Sequence, residues 1–458
     1  MMKYYLIALV ILSFFTHFVL WGYPNQVVFD EVHFGSFATQ YLTGTYFFDL
    51  HPPLGKLLIS SFGRLGDTDP NQTFTTIGKP FGNTGFMWLR FLPTLAGALL
   101  PIVIFLLALR MGLSKKTSFF AGLFIILENS LLVQSRFILL DSLLLLFGFS
   151  GLLFYLAARS LKASKTKIFL TLVSAVCLSF AFSVKWTGLA YLGIVAMIEL
   201  YDWSKTFTKW RLKDYLFKGL YFILLPLVIY FSIFAVHFAL LDKSGPGNAF
   251  MTPSFQKTLA DNPYQADDTI KPENTYQKFI ELNKQMYTSN QHLESSHPYA
   301  SAWYTWPILK RPIYYWNHSF DKNFEAKIYL IGNPLIYCLS FVAVLTVLFA
   351  IFSRNVELKK RRKLYIFLLG CYLMNLLPFI LVGRQMFLYH YEAALVFAVI
   401  ILAVAVDSTF KVRKTLAFSI ITVFFLASFL YLVPLTYGIP LTIEDNIYSA
   451  SWWPSTWR

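Results

Sequence analysis

The chain contains repeated apolar runs long enough to cross a lipid bilayer, and these runs limit the fold more than any other feature of the sequence. A transmembrane helix needs about 20 predominantly apolar residues. The longer runs lie near residues 4–23, 86–109, 138–158, 187–200, 219–241, 328–352, 364–382, 389–407 and 415–437, and shorter ones near 117–134 and 168–184. The sequence therefore predicts an all-α polytopic membrane protein of about eleven transmembrane helices, with amphipathic helices outside the membrane.

The distribution of charge fixes the predicted orientation. Only 14% of the residues are charged and 56% are hydrophobic, which excludes an ordinary soluble domain. The net charge of +15 does not indicate nucleic-acid binding, because the cations lie in short loops between the apolar runs. With a cytoplasmic N-terminus, the loops that fall inside carry more than half of the Lys and Arg residues; they are 110–116, 159–167, 205–218, 354–363 and 411–414. This pattern places the C-terminus outside.

Two external stretches, 24–85 and 242–327, are longer than ordinary connecting loops, and such loops usually carry function. We therefore divide the chain into three units. Residues 1–241 form an N-terminal membrane module that includes the loop 24–85, residues 242–327 form an external region, and residues 328–458 form a C-terminal module with four spans.

The stretch VVFDEVHFG, residues 27–35, places two carboxylates directly after the first apolar run. The apolar positions that follow have the spacing of one face of an amphipathic helix; they are Phe34, Phe37, Ala38, Tyr41 and Leu42. Asp30 and Glu31 continue this face, so at least one of them should point into the protein. Adjacent carboxylates there would raise each other's pKa, as in an acid or base site. The alternative is a helix N-terminus whose acids satisfy backbone amides and the helix dipole, and the spacing does not decide between the two.

Several cations occupy the side of the membrane that the orientation rule disfavours. They are Arg90, Arg136, Lys185 and Arg384 at the external ends of spans, and Lys56 and Arg64 in the first external loop. An unpaired cation near hydrocarbon costs about 2.5–3.5 kcal/mol, although a single one can snorkel to the interface. Two explanations remain open: a phosphate-bearing ligand, or internal ion pairs with Asp30, Glu31, Asp49, Glu128 and Asp141.

Four histidines, His33, His51, His297 and His390, also fall on the external side. Their spacings match no metal signature, so we predict neither a metal site nor another cofactor. His51 precedes two prolines, which force an extended entry and permit a helix to start at PLGKLL.

Five segments together resemble the protein O-mannosyltransferase family. They are FDEVHFGSFATQYLTGTYFFDLHPPLGKLL, QSRFILLDS, SVKWTGL, HPYASAWYTWPILKRPIYYW and RQMFLYHY, and they extend from residue 29 to residue 391. The resemblance implies the membrane-embedded fold of the C-type glycosyltransferases (GT-C) and a polyprenyl-phosphate-mannose donor.

The resemblance also implies roles for individual residues. Asp30 would be the catalytic base and Glu31 its partner in placing the acceptor. The residues that would bind the donor phosphate or sugar are Arg90, Arg136, Lys185, His51, Lys56 and Arg384. The residues that would contact the acceptor or line the cleft are His33, Asp49, His297, Tyr299 and His390.

The chain departs from the family pattern at two places. Eukaryotic members carry a β-trefoil (MIR) domain in the large external loop, and region 242–327 is too short to hold one, so a minimal member is implied. After FLYHY, relatives usually continue with Leu-Pro, whereas Glu392 and Ala393 follow here.

These features predict transfer of mannose from polyprenyl-phosphate-mannose to Ser or Thr hydroxyls of proteins at the external membrane face. A related GT-C enzyme that passes a sugar to a lipid or a glycan would need the same chemistry. A non-enzymatic lipid-phosphate carrier would also place cations beside a groove, but it gives no reason for paired acids. Expected partners are the lipid donor, acceptor proteins, membrane lipids and a second copy or a relative of the chain. The expected location is the plasma membrane of a prokaryote or the endoplasmic reticulum of a eukaryote.

Overall fold

The computed structural model describes residues 2–206, 212–292, 297–353, 361–410, 412–443 and 454–457, and most of them are helical. The helices are α1 Met2–Phe18, α2 Glu31–Thr43, α3 Leu54–Leu65, α4 Phe86–Arg110, α5 Lys115–Ile126, α6 Asn129–Ser135, α7 Asp141–Arg159, α8 Lys165–Val184, α9 Leu189–Thr206, α10 Leu212–Gly219, α11 Leu225–Leu240, α12 Pro253–Gln256, α13 Thr275–His292, α14 Pro334–Phe352, α15 Arg362–Leu376, α16 Glu392–Thr409 and α17 Lys414–Tyr437. A π-helical turn, Leu220–Leu224, joins α10 to α11.

Many of these helices can cross a membrane, as the apolar runs predict. Among the described residues, eight segments are long and apolar enough, or nine if the bent pair α5–α6 is one span. Helix α1 has 17 residues and is shorter than this test requires. The protein is therefore a multi-pass membrane protein, while the count of about eleven spans stays unconfirmed.

The segment after the first apolar run folds as its sequence predicts. Helix α2 buries Phe34, Ala38 and Tyr41 and ends at Gly44, whose φ of 78° lies in the left-handed region that glycine adopts at little cost. Helix α3 begins at Leu54, directly after the two prolines. Helix α2 packs on α3, and α3 packs on α4, so the acid pair is anchored against the second apolar run.

A small antiparallel sheet lies outside the predicted all-helical pattern. Its strands, in the order β1–β2–β3, are Ile313–Ser319, Phe324–Leu330 and Leu441–Thr442. A bulge between Tyr314 and Trp316 interrupts the alternation of β1, so Tyr315 and Trp316 are both buried. The irregular alternation explains why the strand is hard to recognise in the sequence.

Helices α5 and α6 meet at an angle of 61°. At the break, Glu128 Oε1 accepts hydrogen bonds from the backbone N–H groups of Ser130 and Asn333, each at 3.0 Å. Glu128 thus caps α6 and ties it to the start of α14 instead of pairing with a cation. The bend directs α6 toward the N-terminal end of α7, where Asp141 lies.

Candidate active site

Arg90 is fully enclosed by the loop that precedes the acid pair. Its Nε donates to Glu31 Oε1 and its Nη2 donates to Glu31 Oε2, each at 2.7 Å, and both side chains are 0% exposed. The remaining N–H groups donate to three backbone carbonyls, those of Gly22, Pro24 and Gln26. Because all five guanidinium N–H groups are used within the protein, this geometry does not support contact between Arg90 and the donor phosphate.

The carboxylate of Glu31 also finds all its hydrogen-bond partners within the protein. Beyond its two bonds from Arg90, it accepts from the backbone N–H groups of Val28 at 2.9 Å and Ile138 at 3.0 Å. Neither group belongs to the first turn of α2, and Asp30, the N-cap residue, makes no capping bond. Glu31 thus satisfies backbone amides from the first turn of α2, as the helix-terminal alternative predicts, but these amides lie outside the helix, and Asp30 satisfies none. Glu31 and Arg90 instead lock the opening motif against the segment before α7.

Asp30 follows a backbone position that the sheet holds in an uncommon conformation. Phe29 has a φ of 45°, a region that costs a non-glycine residue about 1–3 kcal/mol. Its N–H donates to the carbonyl of Tyr315 at 3.1 Å, and the two rings stack with centroids 4.1 Å apart. Tyr315 donates its hydroxyl to Gln134 of α6. Strand β1 and helix α6 thus fix the direction of Asp30.

The Asp30 carboxylate is half-buried, and no residue in the described part of the chain donates a hydrogen bond to it. Burial, the largest cause, raises the pKa of Asp30 to about 6, although the charges of His33 and Lys185 lower it. The charges that raise the pKa of Asp30 further are those of Asp141 and Asp49. The predicted cause, the adjacent Glu31, is not among them, because Arg90 neutralises Glu31. A carboxylate that titrates near neutral pH can accept a proton during a reaction.

Two other cations of the predicted external set are paired with acids inside the protein. Lys56 contacts Asp49 and donates to the carbonyl of His51 at 2.7 Å. Lys185 Nζ donates to the two Asp141 oxygens at 2.7 and 2.8 Å. Together with the buried pair of Arg90 and Glu31, these contacts confirm internal ion pairs for three of the cations predicted to be external. Each ammonium group still keeps one N–H beyond these bonds.

Arg384 has no acid partner among the described residues. Its Nε donates to Asn290 Oδ1 at 2.8 Å, and Asn290 donates to the carbonyl of Leu50 at 3.0 Å. This link fixes Arg384 next to the segment that contains His51. A half-buried guanidinium without a carboxylate is well suited to bind an anion.

The pKa of His51 is affected by three of these cations. Burial lowers its pKa well below the usual value, and the positive charges of Lys185, Arg384 and Lys56 lower it further. His51 is therefore neutral at physiological pH. Its backbone carbonyl accepts from Lys56, and the neighbouring Leu50 is linked to Arg384 through Asn290. We refer to Lys56, Lys185 and Arg384 as the cation cluster; they come from α3, the end of α8 and the segment before α16.

Arg136 lies elsewhere. Its Nη2 donates to the carbonyl of Leu20 at 2.8 Å, and its guanidinium carbon is 4.2 Å from the centroid of the Tyr437 ring. Arg136 therefore joins the chain after α1 to the end of α17. The implied contact between Arg136 and the donor phosphate is not supported by this position.

A cavity of about 370 Å³ lies between α7, α9, α15 and the start of α16, and Lys185 of the cation cluster lines it. Its polar lining residues are Asp141, Lys185, Thr187, Tyr191, Asn375, His390 and Glu392. Its apolar lining residues include Leu144, Leu189, Met374, Phe379 and Val382. The ring of Tyr389, with Lys185 Nζ 5.3 Å from its centroid, also lines the cavity. The wall of the cavity thus contains both charged and apolar side chains.

The residues predicted to contact the acceptor are only partly brought together. His390 lines the cavity, and His33 is exposed next to Asp30. His297 packs its ring 5.0 Å from that of Phe387, in the segment that carries Arg384, and accepts from the backbone N–H of Tyr299 at 3.2 Å. The ring of Tyr299 stacks on that of Tyr314, with centroids 6.3 Å apart, and neither His297 nor Tyr299 lines the cavity. Asp49 serves as the partner of Lys56.

No local sequence pattern identifies Tyr315, which orients Asp30, or Asn290, which orients Arg384. Gln134, whose amide donates to Asp141 at 2.6 Å, lies in the motif QSRFILLDS. The family resemblance therefore pointed to the segment that contains Gln134. Within the described ranges, no group of three or more His, Cys, Asp or Glu side chains could hold a metal ion. The expectation that no metal takes part stays a prediction.

Two family models match the chain. Residues 7–242 match the model described as dolichyl-phosphate-mannose-protein mannosyltransferase, and residues 275–457 match the C-terminal four-transmembrane region of protein O-mannosyltransferase. Protein O-mannosyltransferase 1 of Drosophila melanogaster is 37% identical over 261 residues, which are 55% of this chain and 29% of that protein. Dolichyl-phosphate-mannose–protein mannosyltransferase 4 of Candida albicans is 38% identical over 280 residues, which are 57% of this chain and 37% of that protein. The match thus spans about a third of each relative.

Solved structures agree with the fold. The protein O-mannosyltransferase Pmt1–Pmt2 complex of S. cerevisiae, bound to the sugar donor, has a TM-score of 0.90 at 21% identity, over 100% of this chain and 92% of that chain. ArnT from Cupriavidus metallidurans, bound to undecaprenyl phosphate, has a TM-score of 0.55 at 14% identity, over 94% and 76%. The fold is therefore that of the GT-C glycosyltransferases. Because the first family model covers more than half of the sequence, this chain belongs to the protein O-mannosyltransferase family.

Proposed function

We propose that this protein transfers mannose from a polyprenyl-phosphate-mannose donor to Ser or Thr hydroxyls of proteins, with inversion at the anomeric carbon. The observation that carries the proposal is Asp30, a carboxylate with a pKa raised to about 6 and no hydrogen-bond partner among the described residues. The ring of the preceding Phe29 lies 6.5 Å from that of Tyr389, which lines the cavity together with Lys185. The names of the relatives support mannose as the sugar and protein as the acceptor.

The reaction is a single displacement. The acceptor hydroxyl oxygen forms a bond to the anomeric carbon of mannose, and its proton passes to Asp30. The bond between that carbon and the phosphate oxygen breaks, and its electron pair leaves with the polyprenyl phosphate. Arg384 and the free N–H of Lys185 stabilise the phosphate as it departs, because charge-assisted hydrogen bonds are strongest where negative charge develops.

The cavity suits the lipid part of the donor. Its apolar walls, formed by α9 and α15, would hold the first isoprene units, while Lys185 would bind the phosphate. The acceptor would approach Asp30 from the external side, with the C-terminus on the same side. Since the solved neighbour is a complex of two such chains, pairing with a second copy or a relative is part of the proposal.

The proposal is tested with the purified full chain in lipid nanodiscs. Radiolabelled polyprenyl-phosphate-mannose and a Ser/Thr peptide should yield labelled peptide, and a peptide with Ala at every Ser and Thr should not. Label in a lipid or glycan product with none in the peptide would favour the related GT-C reaction. Donor movement across the membrane without any transfer would favour a carrier.

The acid limb of the pH–rate profile should report Asp30. Because the carboxylate must be ionised to accept a proton, kcat/KM should rise with pH through about 6 and be about tenfold lower at pH 5 than at pH 7. His33→Gln removes the largest charge that favours ionisation, so the limb should move to higher pH. Initial rates from pH 4.5 to 8 measure both effects. A profile that is flat between pH 5 and 7 would exclude Asp30 as the base.

Arg384→Gln should weaken donor binding. The loss of charge-assisted bonds to phosphate should raise the donor KM about 10- to 100-fold, because each such bond contributes about 1.5–3 kcal/mol. Arg64→Gln is the matched control, since Arg64 is an exposed cation on α3 of the same external segment. Initial rates at varied donor concentration measure the change. Equal donor KM values for the two variants would remove Arg384 from the phosphate site.

A further inference from the structure

Glu392 is a buried carboxyl group in the wall of the cavity, and the reaction described above does not use it. It is the first residue of α16 and is 2% exposed. Neither of its carboxyl oxygens has a hydrogen-bond partner among the described residues. Since burial of an unpartnered carboxyl group is costly, such a position points to a ligand that supplies the missing hydrogen bonds.

A second buried polar group without a partner lies in the wall of the same cavity. The hydroxyl of Tyr191 lines the same cavity, is buried, and also has no partner in the described part of the chain. Gln134, which accepts from the hydroxyl of Tyr315 and donates to Asp141, lines a second, smaller cavity together with Glu392. Asp141 and Glu392 also both line the main cavity, so Glu392 lies on the side of the cavity where Asp141 binds Lys185.

The chemistry of two free carboxyl oxygens narrows the choice of ligand. A phosphate group would be repelled by a carboxylate, and an isoprenoid tail has no hydrogen-bond donor. Neighbouring hydroxyl groups of a sugar can donate to both oxygens at once, and a tyrosine hydroxyl can bind a third. Of the parts of a lipid-linked sugar donor, the hexose is the one that fits.

We propose that Glu392 accepts hydrogen bonds from hydroxyl groups of the donor's hexose, and so makes the cavity select the sugar-bearing polyprenyl phosphate over the bare lipid phosphate. The inference rests on the proposed function, because it concerns the donor of that reaction. Glu392 is then a specificity-determining residue, and Tyr191 is its neighbour in the same subsite.

The test compares the binding of two ligands to the purified full chain, polyprenyl-phosphate-mannose and polyprenyl phosphate of the same length. Glu392→Leu should weaken binding of the mannosyl ligand roughly 10- to 100-fold, as expected for lost hydrogen bonds to a charged group. Binding of the bare lipid phosphate should change by less than about twofold, because that ligand makes no contact with Glu392. Glu392→Gln keeps the shape of the side chain and should give a smaller loss with the same selectivity.

Three results would overturn the inference: unchanged affinity in both variants, an equal loss for both ligands, or a wild-type protein that binds both ligands equally. If Glu392→Leu does not fold, the same comparison is made with Glu392→Gln. Failure of the proposed function would appear separately, as a wild-type protein that binds the mannosyl ligand but transfers no label to the peptide.

Discussion

Asp30→Asn should lower the turnover number for mannose transfer by about 10²–10⁴-fold, the contribution that a positioned base typically makes. The amide has nearly the same shape but cannot take the proton from the acceptor hydroxyl. The donor KM should stay close to the wild-type value, because the cation cluster is unchanged. Single-turnover rates with labelled donor and peptide separate the chemical step from binding.

The same variant should not be less stable than the wild type at neutral pH. Burial raises the pKa of Asp30 from 3.8 to about 6, so the folded state binds the proton more tightly than the unfolded state does. Stability contributed by this group is therefore present below pH 4 and is lost as the pH rises through 6. Asp30→Asn should melt at the same or a higher temperature at pH 7.5, and the difference should disappear below pH 4.

Asp268→Asn, an exposed acid in the second external region, is the matched control and should keep full activity. Retained turnover in Asp30→Asn would refute the base. A loss of both activity and thermal stability would mean that Asp30 supports the fold and does not act on the substrate.

Local sequence patterns predicted the elements around the site well. The helical spacing after Asp30 and the prolines before Leu54 depend only on neighbours along the chain, and α2 and α3 begin within one or two residues of the expected positions. The sheet was missed because its first strand contains a bulge, which breaks the period of two that identifies a strand. The α5–α6 break was missed because Glu128 is satisfied by Asn333, far away in the sequence.

The partners of the charged residues could not be predicted from local patterns. The sequence showed that the external cations need compensation, and it left ligand and internal acids as alternatives. Arg90 pairs with a residue 59 positions away and Lys185 with one 44 positions away, so only the packing of helices decides these pairs. The structure separates these cations into three groups. All N–H groups of Arg90 are bonded within the protein, and Lys56 and Lys185 each pair with an acid but keep one N–H. Arg384 has no acid partner among the described residues. Arg90 therefore supports the fold, and Arg384 is the cation that we propose contacts the donor.

Glu31→Gln should destabilise the protein by about 3–5 kcal/mol, the usual cost of removing one partner from a buried ion pair. Four N–H groups converge on the Glu31 carboxylate, two from Arg90 and two from the backbone. An amide offers one oxygen in place of two and adds N–H donors, so at least one buried donor loses its acceptor while Arg90 stays charged. Heat- or urea-induced unfolding in detergent measures the loss.

A double-mutant cycle distinguishes this structural role from a role in placing the acceptor. Arg90→Gln alone should cost about as much as Glu31→Gln, because it leaves the carboxylate buried without a cation. The double variant removes both charges, so its loss should be smaller than the sum of the single losses by about 0.5–3 kcal/mol. If Glu31 instead acts on the acceptor, Glu31→Gln will unfold like the wild type and raise the peptide KM, with no coupling to Arg90. Because the pair is fully enclosed, coupling in stability is the expected result, and any fall in activity should follow the folded fraction.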